Sequence, residues 1–206
     1  MYSLKIFGFI IVALTLIAVA SPGASAETLK EKVATLEVLP LEYGSNAIKV
    51  NGHNILIIKG AFKSEIARGG DGYFILVQDG GVWQLARYED GKKDNDVVIW
   101  ALPHTGEDSI SSIHFMVSRG SASSKNLAEL YLLKTTRHYK ITPTESALAE
   151  FTLSALHRDD DFGIYYLHTL KRMTSTIKYC NADSAAYHEL GIPLLEGGND
   201  FSCALH

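Results

Sequence analysis

The densest group of chemically capable side chains is the stretch 157–163, which reads His-Arg-Asp-Asp-Asp-Phe-Gly. It contains the letters of two kinase motifs, H-R-D and D-F-G, but in kinases these belong to separate loops, and no glycine-rich nucleotide loop precedes them here. Three consecutive aspartates could bind Ca²⁺, yet calcium loops place their ligands at alternate positions so that they converge. The sequence therefore favours a solvated turn over a metal site.

Signatures of the common catalytic and metal sites do not occur in the sequence. The eight histidines are spread along the chain without an H-E-x-x-H spacing, and no Cys-x-x-Cys pair accompanies them. No G-x-S-x-G elbow is present, and Ser175-Thr176-Ile177-Lys178 matches S-x-x-K without its companion motifs. We expect no catalytic residue, no metal and no cofactor. A hydrolase that combines carboxylates or histidines from separate strands stays an alternative, because their separation is a three-dimensional quantity.

The first 26 residues have the features of a secretory signal. Lys5 precedes the apolar run Ile6–Ala20, and the segment ends in Ser21-Pro22-Gly23-Ala24-Ser25-Ala26. A basic start, an apolar centre and small residues at the end suit a signal peptidase, whereas a membrane anchor would need about 20 unbroken apolar residues. We predict cleavage after Ala26, a periplasmic or secreted protein, and a single globular domain over residues 27–206.

The two cysteines, Cys180 and Cys203, both lie near the C-terminus. In an exported protein two cysteines predict a disulfide. By closing the loop between them, this disulfide would stabilise the fold by on the order of 3 kcal/mol. A catalytic thiol would need a basic activating neighbourhood, and a second cysteine nearby would tend to trap it. We therefore predict a structural Cys180–Cys203 disulfide.

The charge balance limits the classes of partner. The whole chain carries a formal net charge of −4, and removal of Lys5 with the signal makes it slightly more acidic. Such a chain is a poor match for nucleic acid or an anionic membrane surface. No later apolar stretch approaches membrane-spanning length. We expect a protein or another cell-envelope component as partner, with no membrane span after signal cleavage.

Turn signals separate many short apolar runs, a pattern typical of an antiparallel β-sheet protein. Asn51-Gly52 between two β-branched runs predicts a hairpin over residues 46–59. The predicted strands are Ala47–Val50, Asn54–Lys59, Tyr73–Val77, Val82–Tyr88, Asp96–Leu102, Ile113–Ser118, Leu127–Lys134, Phe151–Leu156 and Ile164–Leu170. From these nine candidate runs we expect about seven to eight strands, which predict a mainly β (α+β) fold, an antiparallel β-sandwich or a barrel-like meander.

Helical patterns are confined to a few segments. Asn181–Leu190 predicts a short C-terminal helix, in which Asn181 or Asp183 caps the first turn and Gly191 ends it before Pro193. Glu145–Glu150 is compatible with either helix or strand. Residues 27–38 are compatible with a short helix or a loose arm that leads to the first strand.

Aromatic residues are prominent in the predicted strands. Tyr165 and Tyr166 are consecutive and would lie on opposite faces of a sheet, while Trp83, Tyr88 and Trp100 occupy neighbouring strands. Packing in the core is the commoner role of such residues. The alternative is that Trp83, Tyr88, Trp100 and Tyr165 contribute to a partner surface.

Three blocks of sequence resemble exported bacterial proteins related to the carbapenem intrinsic-resistance proteins, which protect antibiotic producers. The blocks are Val50–Gly60 (VNGHNILIIKG), Asp161–Tyr166 (DFGIYY), and Tyr179–Asp183 (YCNAD) leading into Tyr187–Leu190 (YHEL). The chain departs from the family pattern at 62–72 and in its tail, 194–206, which carries the second cysteine.

The resemblance implies a periplasmic protein that protects without hydrolysing the drug, through binding or shielding. We therefore expect a non-enzymatic protective or binding role, with cell-envelope or carbapenem tolerance as the process. A first alternative is an immunity or inhibitor protein against a secreted cell-wall hydrolase or lysozyme, for which a small exported β-scaffold with an acidic surface is also suited. A second alternative is the small periplasmic hydrolase introduced above.

Overall fold

The computed structural model describes residues 28–50, 52–62, 69–89, 95–102, 109–118 and 129–194. These residues form two helices and twelve strands, whose bounds are α1 Leu29–Ala34, β1 Leu36–Val38, β2 Gly44–Val50, β3 His53–Phe62, β4 Gly70–Asp79, β5 Val82–Leu85, β6 Arg87–Glu89, β7 Asn95–Asp96, β8 Ile99–Ala101, β9 Ser111–Ser118, β10 Leu130–Arg137, β11 Ala147–Asp159, β12 Ile164–Tyr179 and α2 Ala182–Leu190. The predicted signal, residues 1–26, and Cys203 lie outside the described residues, so the signal and the disulfide stay predictions.

The strands are arranged in two sheets. The seven-stranded sheet has the order β1-β9-β10-β11-β12-β6-β7, and the five-stranded sheet has the order β2-β3-β4-β5, with β8 paired to the start of β4. Strand pairs are antiparallel apart from β12 and β6, which run parallel. The predicted mainly β sandwich with a short C-terminal helix is confirmed. The described strands close no barrel, and they are more numerous than the seven or eight that were expected.

Two tight hairpins build the five-stranded sheet. In the first, the register runs to Val50 opposite His53, and Gly52 has a φ of +75°. In the second, Asp79 pairs with Val82 across Gly80 and Gly81, whose φ values are +57° and +85°. Two consecutive positive φ values define the turn that matches the twist of hairpin strands, and glycine adopts them without strain. The hairpin predicted over residues 46–59 is confirmed.

The run Val82–Tyr88, predicted as one strand, is divided between the two sheets at Ala86. β5 pairs with β4, whereas β6 pairs with β12 in the other sheet. Ala86 itself donates its N–H to the carbonyl of Ile75 at 2.8 Å, so its backbone N–H is still hydrogen-bonded where the chain passes from one sheet to the other. The alternation of side chains continues through this crossing, which is why the sequence pattern does not reveal it.

β11 and β12 form a hairpin that is longer than either predicted strand. Their register is interrupted twice, between Leu148 and Glu150 and between Leu153 and Ser154. At the first irregularity the Ser175 hydroxyl accepts the Ala149 N–H at 2.9 Å and donates to the Ile177 carbonyl at 2.7 Å. This side chain therefore replaces ladder bonds that the bulge removes. Residues 147–150 are strand and not helix, because their side chains alternate between buried and more exposed with a period of two.

Two apolar layers hold the elements together. One layer lies between the sheets and includes Ile57, Val77, Phe115, Leu132 and Leu167. The second layer lies between the seven-stranded sheet and the helices. It includes Val33 of α1, Ala185 of α2 and Leu133, Phe151 and Leu153 of the sheet. The seven-stranded sheet is thus covered on both faces, whereas the described elements cover the five-stranded sheet on one.

The cap of α2 follows the sequence signal closely. The Asn181 side-chain oxygen accepts the N–H groups of Asp183 at 2.7 Å and Ser184 at 3.2 Å. Gly191 ends the helix with a φ of +70°. Of the two predicted caps the structure therefore selects Asn181. Asp183 instead turns towards the sheet, where its Oδ1 lies 3.1 Å from Nε2 of His114.

Candidate functional site

The four aromatic residues singled out from the sequence divide between the core and the surface. Trp83 and Trp100 are each 44% exposed, whereas Tyr88 and Tyr165 are 4% and 5% exposed. Tyr88 and Tyr165 belong to the layer between the sheets. The four side chains therefore do not lie on one surface, and only the two tryptophans are accessible to a macromolecular partner.

Both tryptophans belong to the outer surface of the five-stranded sheet. Residues 55, 57, 75 and 77 face the core and are at most 2% exposed, so the even-numbered positions of β3 and β4 face outwards. The register places Trp83 opposite Gln78 and Trp100 opposite Gly72 on that same side. We call this surface the apolar face. Its apolar members are Leu56, Ile58, Phe74, Leu76, Trp83, Leu85 and Trp100.

Rows across the strands make the apolar face continuous. Leu56 pairs with Leu76, and Leu76 pairs with Leu85, so three leucines cross three strands. Ile58 pairs with Phe74 in the next row. Phe74 and Leu85 are 36% and 40% exposed. The adjacent rows of leucine, phenylalanine and tryptophan therefore form one contiguous patch and are not isolated exposed side chains.

Gly72 leaves room for the Trp100 ring at the margin of this patch. A Cβ atom at position 72 would lie 3.0 Å from Cζ3 of Trp100, closer than side chains normally approach. The absence of a side chain at this position therefore lets the indole lie against β4. Glycine at position 72 therefore allows the Trp100 side chain to approach the backbone of β4 closely.

The exposed apolar area is large enough to be significant. Three aromatic side chains of roughly 200 Å² each, exposed by about two fifths, and the neighbouring aliphatic side chains leave on the order of 400 Å² of apolar surface. The largest patch on a monomer is of this order and is frequently functional. Among the described outward positions of β2 to β5 and β8, Lys49 is the one charged residue. The apolar face thus has the charge-poor composition of an interface core.

A cavity of about 310 Å³ opens at one end of the sandwich, and we call it the end cavity. Its apolar lining comes from both sheets, with Ile55 and Val77 on one side and Leu130 and Leu156 on the other. Its polar lining comes from the residues His53, Glu129, His157, Arg158, Asp160 and Tyr165. With five apolar and six polar residues in its lining, this cavity suits a small molecule that has both an apolar and a polar part.

A second depression of similar size lies where the seven-stranded sheet extends beyond the five-stranded one. Lys134, Thr152 and Arg172 form a row across β10, β11 and β12 on its floor. The Lys134 ammonium lies 5.3 Å from the centre of the Tyr88 ring. Glu150 lies 3.7 Å from His138 in the neighbouring row. This polar cleft therefore contains both signs of charge in contact with aromatic and hydroxyl groups.

The aspartate-rich stretch forms the turn between β11 and β12, as its composition predicts. Oδ1 of Asp159 accepts the N–H groups of Asp161 and Phe162 at 2.9 and 3.2 Å, and Gly163 has a φ of +65°. Arg158 contacts Asp160 at 3.0 Å and Asp79 at 3.3 Å. Within the part of the chain that the structure describes, no three His, Cys, Asp or Glu residues are placed to share a metal ion.

The buried pair His114 and Asp183 is a feature that sequence reasoning missed. The His114 side chain is fully buried and that of Asp183 is 9% exposed, so the pair lies within the protein and not in a cleft. It connects β9 to the first turn of α2. Because the two residues are distant in the sequence, no local pattern indicates their contact. We interpret the pair as a structural link and not as a catalytic dyad.

The remaining sequence predictions concern the cysteines and membrane spans. Cys180 directly follows β12 and precedes the cap of α2, while its predicted partner Cys203 lies outside the described residues. Among the helices that the structure describes, none has the length and apolarity required to cross a membrane.

Comparisons with known proteins bear on the fold. No protein-family model matches the chain, and no curated protein matches it. The crystal structure of CarG is similar, with a TM-score of 0.58 and 14% sequence identity, over 77% of this chain and 98% of the CarG chain. At this identity the likeness shows a shared fold.

Proposed function

We propose that this chain is an exported, non-enzymatic binding protein that contributes to carbapenem tolerance by docking its apolar face on a second protein of the periplasm. The observation that carries the proposal is the continuous patch formed by Phe74, Trp83, Leu85 and Trp100 on the outer side of the five-stranded sheet, which none of the described helices or strands covers. The fold shared with CarG, whose name is carbapenem-related, supports the choice of process. The resemblance of the three sequence blocks supports the same choice.

The size of the apolar face favours a separate partner over a permanent dimer of this chain. A permanent homodimer typically buries 2,000 Å² or more in total, and its interface is extensively apolar. An apolar area on the order of 400 Å² suits the centre of a standard interface, which buries about 800 Å² on each partner and has a polar rim. The outward-facing Ser45, Lys49, Asn54 and Gln78 flank the apolar rows and supply such a rim.

The two tryptophans are the expected energetic centre of this interface. Tryptophan is enriched among the residues whose truncation costs a complex 2 kcal/mol or more. Trp83 and Trp100 lie on strands that both pair with β4, at different ends of that strand. A partner that contacts both would therefore cover the intervening Phe74 and Leu76 rows.

The experiment that tests the role is deletion of the gene followed by measurement of susceptibility to carbapenems and other cell-wall drugs. We expect deletion to increase carbapenem susceptibility and the wild-type gene to restore tolerance. Unchanged susceptibility to every drug would overturn the protective role. Unchanged drug susceptibility together with new sensitivity to lysozyme or to a cell-wall hydrolase would instead support the inhibitor alternative.

The experiment that tests the apolar face is complementation with Trp83→Glu. A carboxylate at this position would be buried without a partner in the complex, so we expect tolerance to be lost while the protein stays folded. Leu170→Glu is the matched control, because Leu170 is 45% exposed on a strand of the other sheet. Full complementation by Trp83→Glu, or equal loss with both variants, would refute this face as the docking surface. Conversion of a wild-type dimer to a monomer by Trp83→Glu would show that the occupant is a second copy.

A further inference from the structure

The end cavity contains a buried hydroxyl group that has no hydrogen-bond partner of normal geometry among the described residues. Tyr165 is 5% exposed, and among the described residues its hydroxyl makes no hydrogen bond of normal geometry, although the Asp79 carboxylate lies close enough to interact with it. Burial and the nearby Asp79 carboxylate raise the pKa of Tyr165, so the hydroxyl is neutral and can accept as well as donate. Buried hydroxyls in native proteins nearly always have a partner. A ligand atom in the cavity would supply one.

The neighbours of Tyr165 define an amphipathic site. The His53 ring meets the Tyr165 ring edge-on, with the ring centres 6.0 Å apart. Val50 and Ile55 from the first hairpin and Leu156 from β11 form the apolar part of the lining. A cavity of about 150 Å³ is sufficient for benzene, so about 310 Å³ accommodates a phenyl ring with a short polar arm.

The charges at the mouth favour a cation over an anion. Apart from the imidazoles of His53 and His157, Arg158 is the one basic group of the described lining, and it is already in contact with Asp160 and Asp79. Glu129 adds a further carboxylate. A ligand carboxylate would have to displace aspartates from Arg158, whereas an ammonium group would meet an excess of negative charge.

We propose that the end cavity is a binding site for small organic ammonium ions, whose apolar body lies between Ile55 and Leu156 and whose ammonium group donates to the Tyr165 hydroxyl near Asp160. This site is separate from the apolar face, which lies on the outer side of the five-stranded sheet. The proposal therefore does not depend on the docking function.

The test is a titration of the purified protein with three probes of one shape, followed by two-dimensional NMR. 2-Phenylethylamine is the ammonium probe, 2-phenylethanol is the neutral probe and 3-phenylpropanoate is the anionic probe. We expect saturable shifts at His53, Leu156 and Tyr165 with the amine, and binding of the other two weaker by about tenfold or more. Absence of amine binding, equal or tighter binding of the carboxylate, or shifts confined to the apolar face would each overturn the proposal.

The variants Tyr165→Phe and Tyr166→Phe form a matched pair. Tyr166 is the next residue on β12 and faces the other side of the sheet, where its ring contacts His157 and His168. We expect Tyr165→Phe to weaken amine binding about tenfold through loss of one hydrogen bond, and Tyr166→Phe to leave it unchanged. Tyr165→Phe should retain or raise the melting temperature, which separates lost binding from unfolding. Unchanged amine affinity in a folded Tyr165→Phe protein would refute the role of the hydroxyl.

Discussion

Replacement of Ser175 by alanine should destabilise the protein by about 2–3 kcal/mol, although it removes one oxygen atom. The Ser175 hydroxyl is part of two hydrogen bonds, accepting from Ala149 at 2.9 Å and donating to Ile177 at 2.7 Å. Ser175 is 5% exposed, so water cannot replace the hydroxyl without entry into the sheet. Alanine would leave the Ala149 N–H unsatisfied, and a buried orphan donor costs about 1–3 kcal/mol, to which the second lost bond adds.

The assay for this prediction is urea unfolding of wild type, Ser175→Ala and Thr176→Ala. Thr176 is the next residue and is exposed, so its replacement should change the unfolding free energy by no more than about 0.5 kcal/mol. For a protein of this size the Ser175→Ala change corresponds to a fall in melting temperature of roughly 5–10 °C. If the two variants are equally stable, the hydroxyl does not support the bulge and the reasoning is wrong.

Three further predictions follow from local contacts. Burial and the hydrogen bond to Glu189 raise the pKa of Tyr179 to about 12, above its ordinary value of 10; the stabilisation is therefore complete below pH 10 and is lost as the pH rises to 12. Unfolding free energies should fall more steeply over this interval for wild type than for Tyr179→Phe, and equal slopes would contradict the assignment. Asn181→Ala should cost about 1–2 kcal/mol in urea unfolding, because the cap accepts two N–H groups; a cost near zero would show that the cap is dispensable. Mass measurement of the purified protein should show a gain of two hydrogens on reduction if Cys180 and Cys203 are bonded, and two free thiols before reduction would refute the predicted disulfide.

Local signals in the sequence predicted the elements whose structure depends on neighbouring residues. Asn51-Gly52 indicated the first hairpin, and Asn181 and Gly191 marked the ends of α2. These residues specify backbone conformations directly, through positive φ values and a side-chain cap. Features that depend on distant segments were missed. The chain crosses from one sheet to the other at Ala86, for example, because Tyr88 can pack beside β12. The alternation of apolar and polar residues in the sequence does not indicate this crossing.

The candidate site shows the same division between local and distant information. Trp83, Tyr88, Trp100 and Tyr165 have similar sequence surroundings, yet two are buried between the sheets and two are exposed. The side of a strand that is buried is decided by which sheet the strand joins, and β5 and β6 join different sheets although Ala86 alone separates them. The candidate aromatic residues could therefore be named from the sequence. Which of them are buried and which are exposed could be known only from the strand register.

The architecture explains why the exposed residues Trp83 and Trp100 are informative about function. The seven-stranded sheet is covered by the helices on one face and by the five-stranded sheet on the other, so apolar residues on both of its faces contribute to folding. Among the described elements, the five-stranded sheet packs against another layer on its inner face alone. The exposed parts of Phe74, Trp83, Leu85 and Trp100 contribute nothing to folding and increase the risk of aggregation, which antiparallel sheets usually avoid with polar residues on the solvent side. Their retention on that side is therefore better explained by a partner than by the stability of the monomer. If polar substitutions over the whole apolar face left both tolerance and solubility unchanged, this explanation would fail.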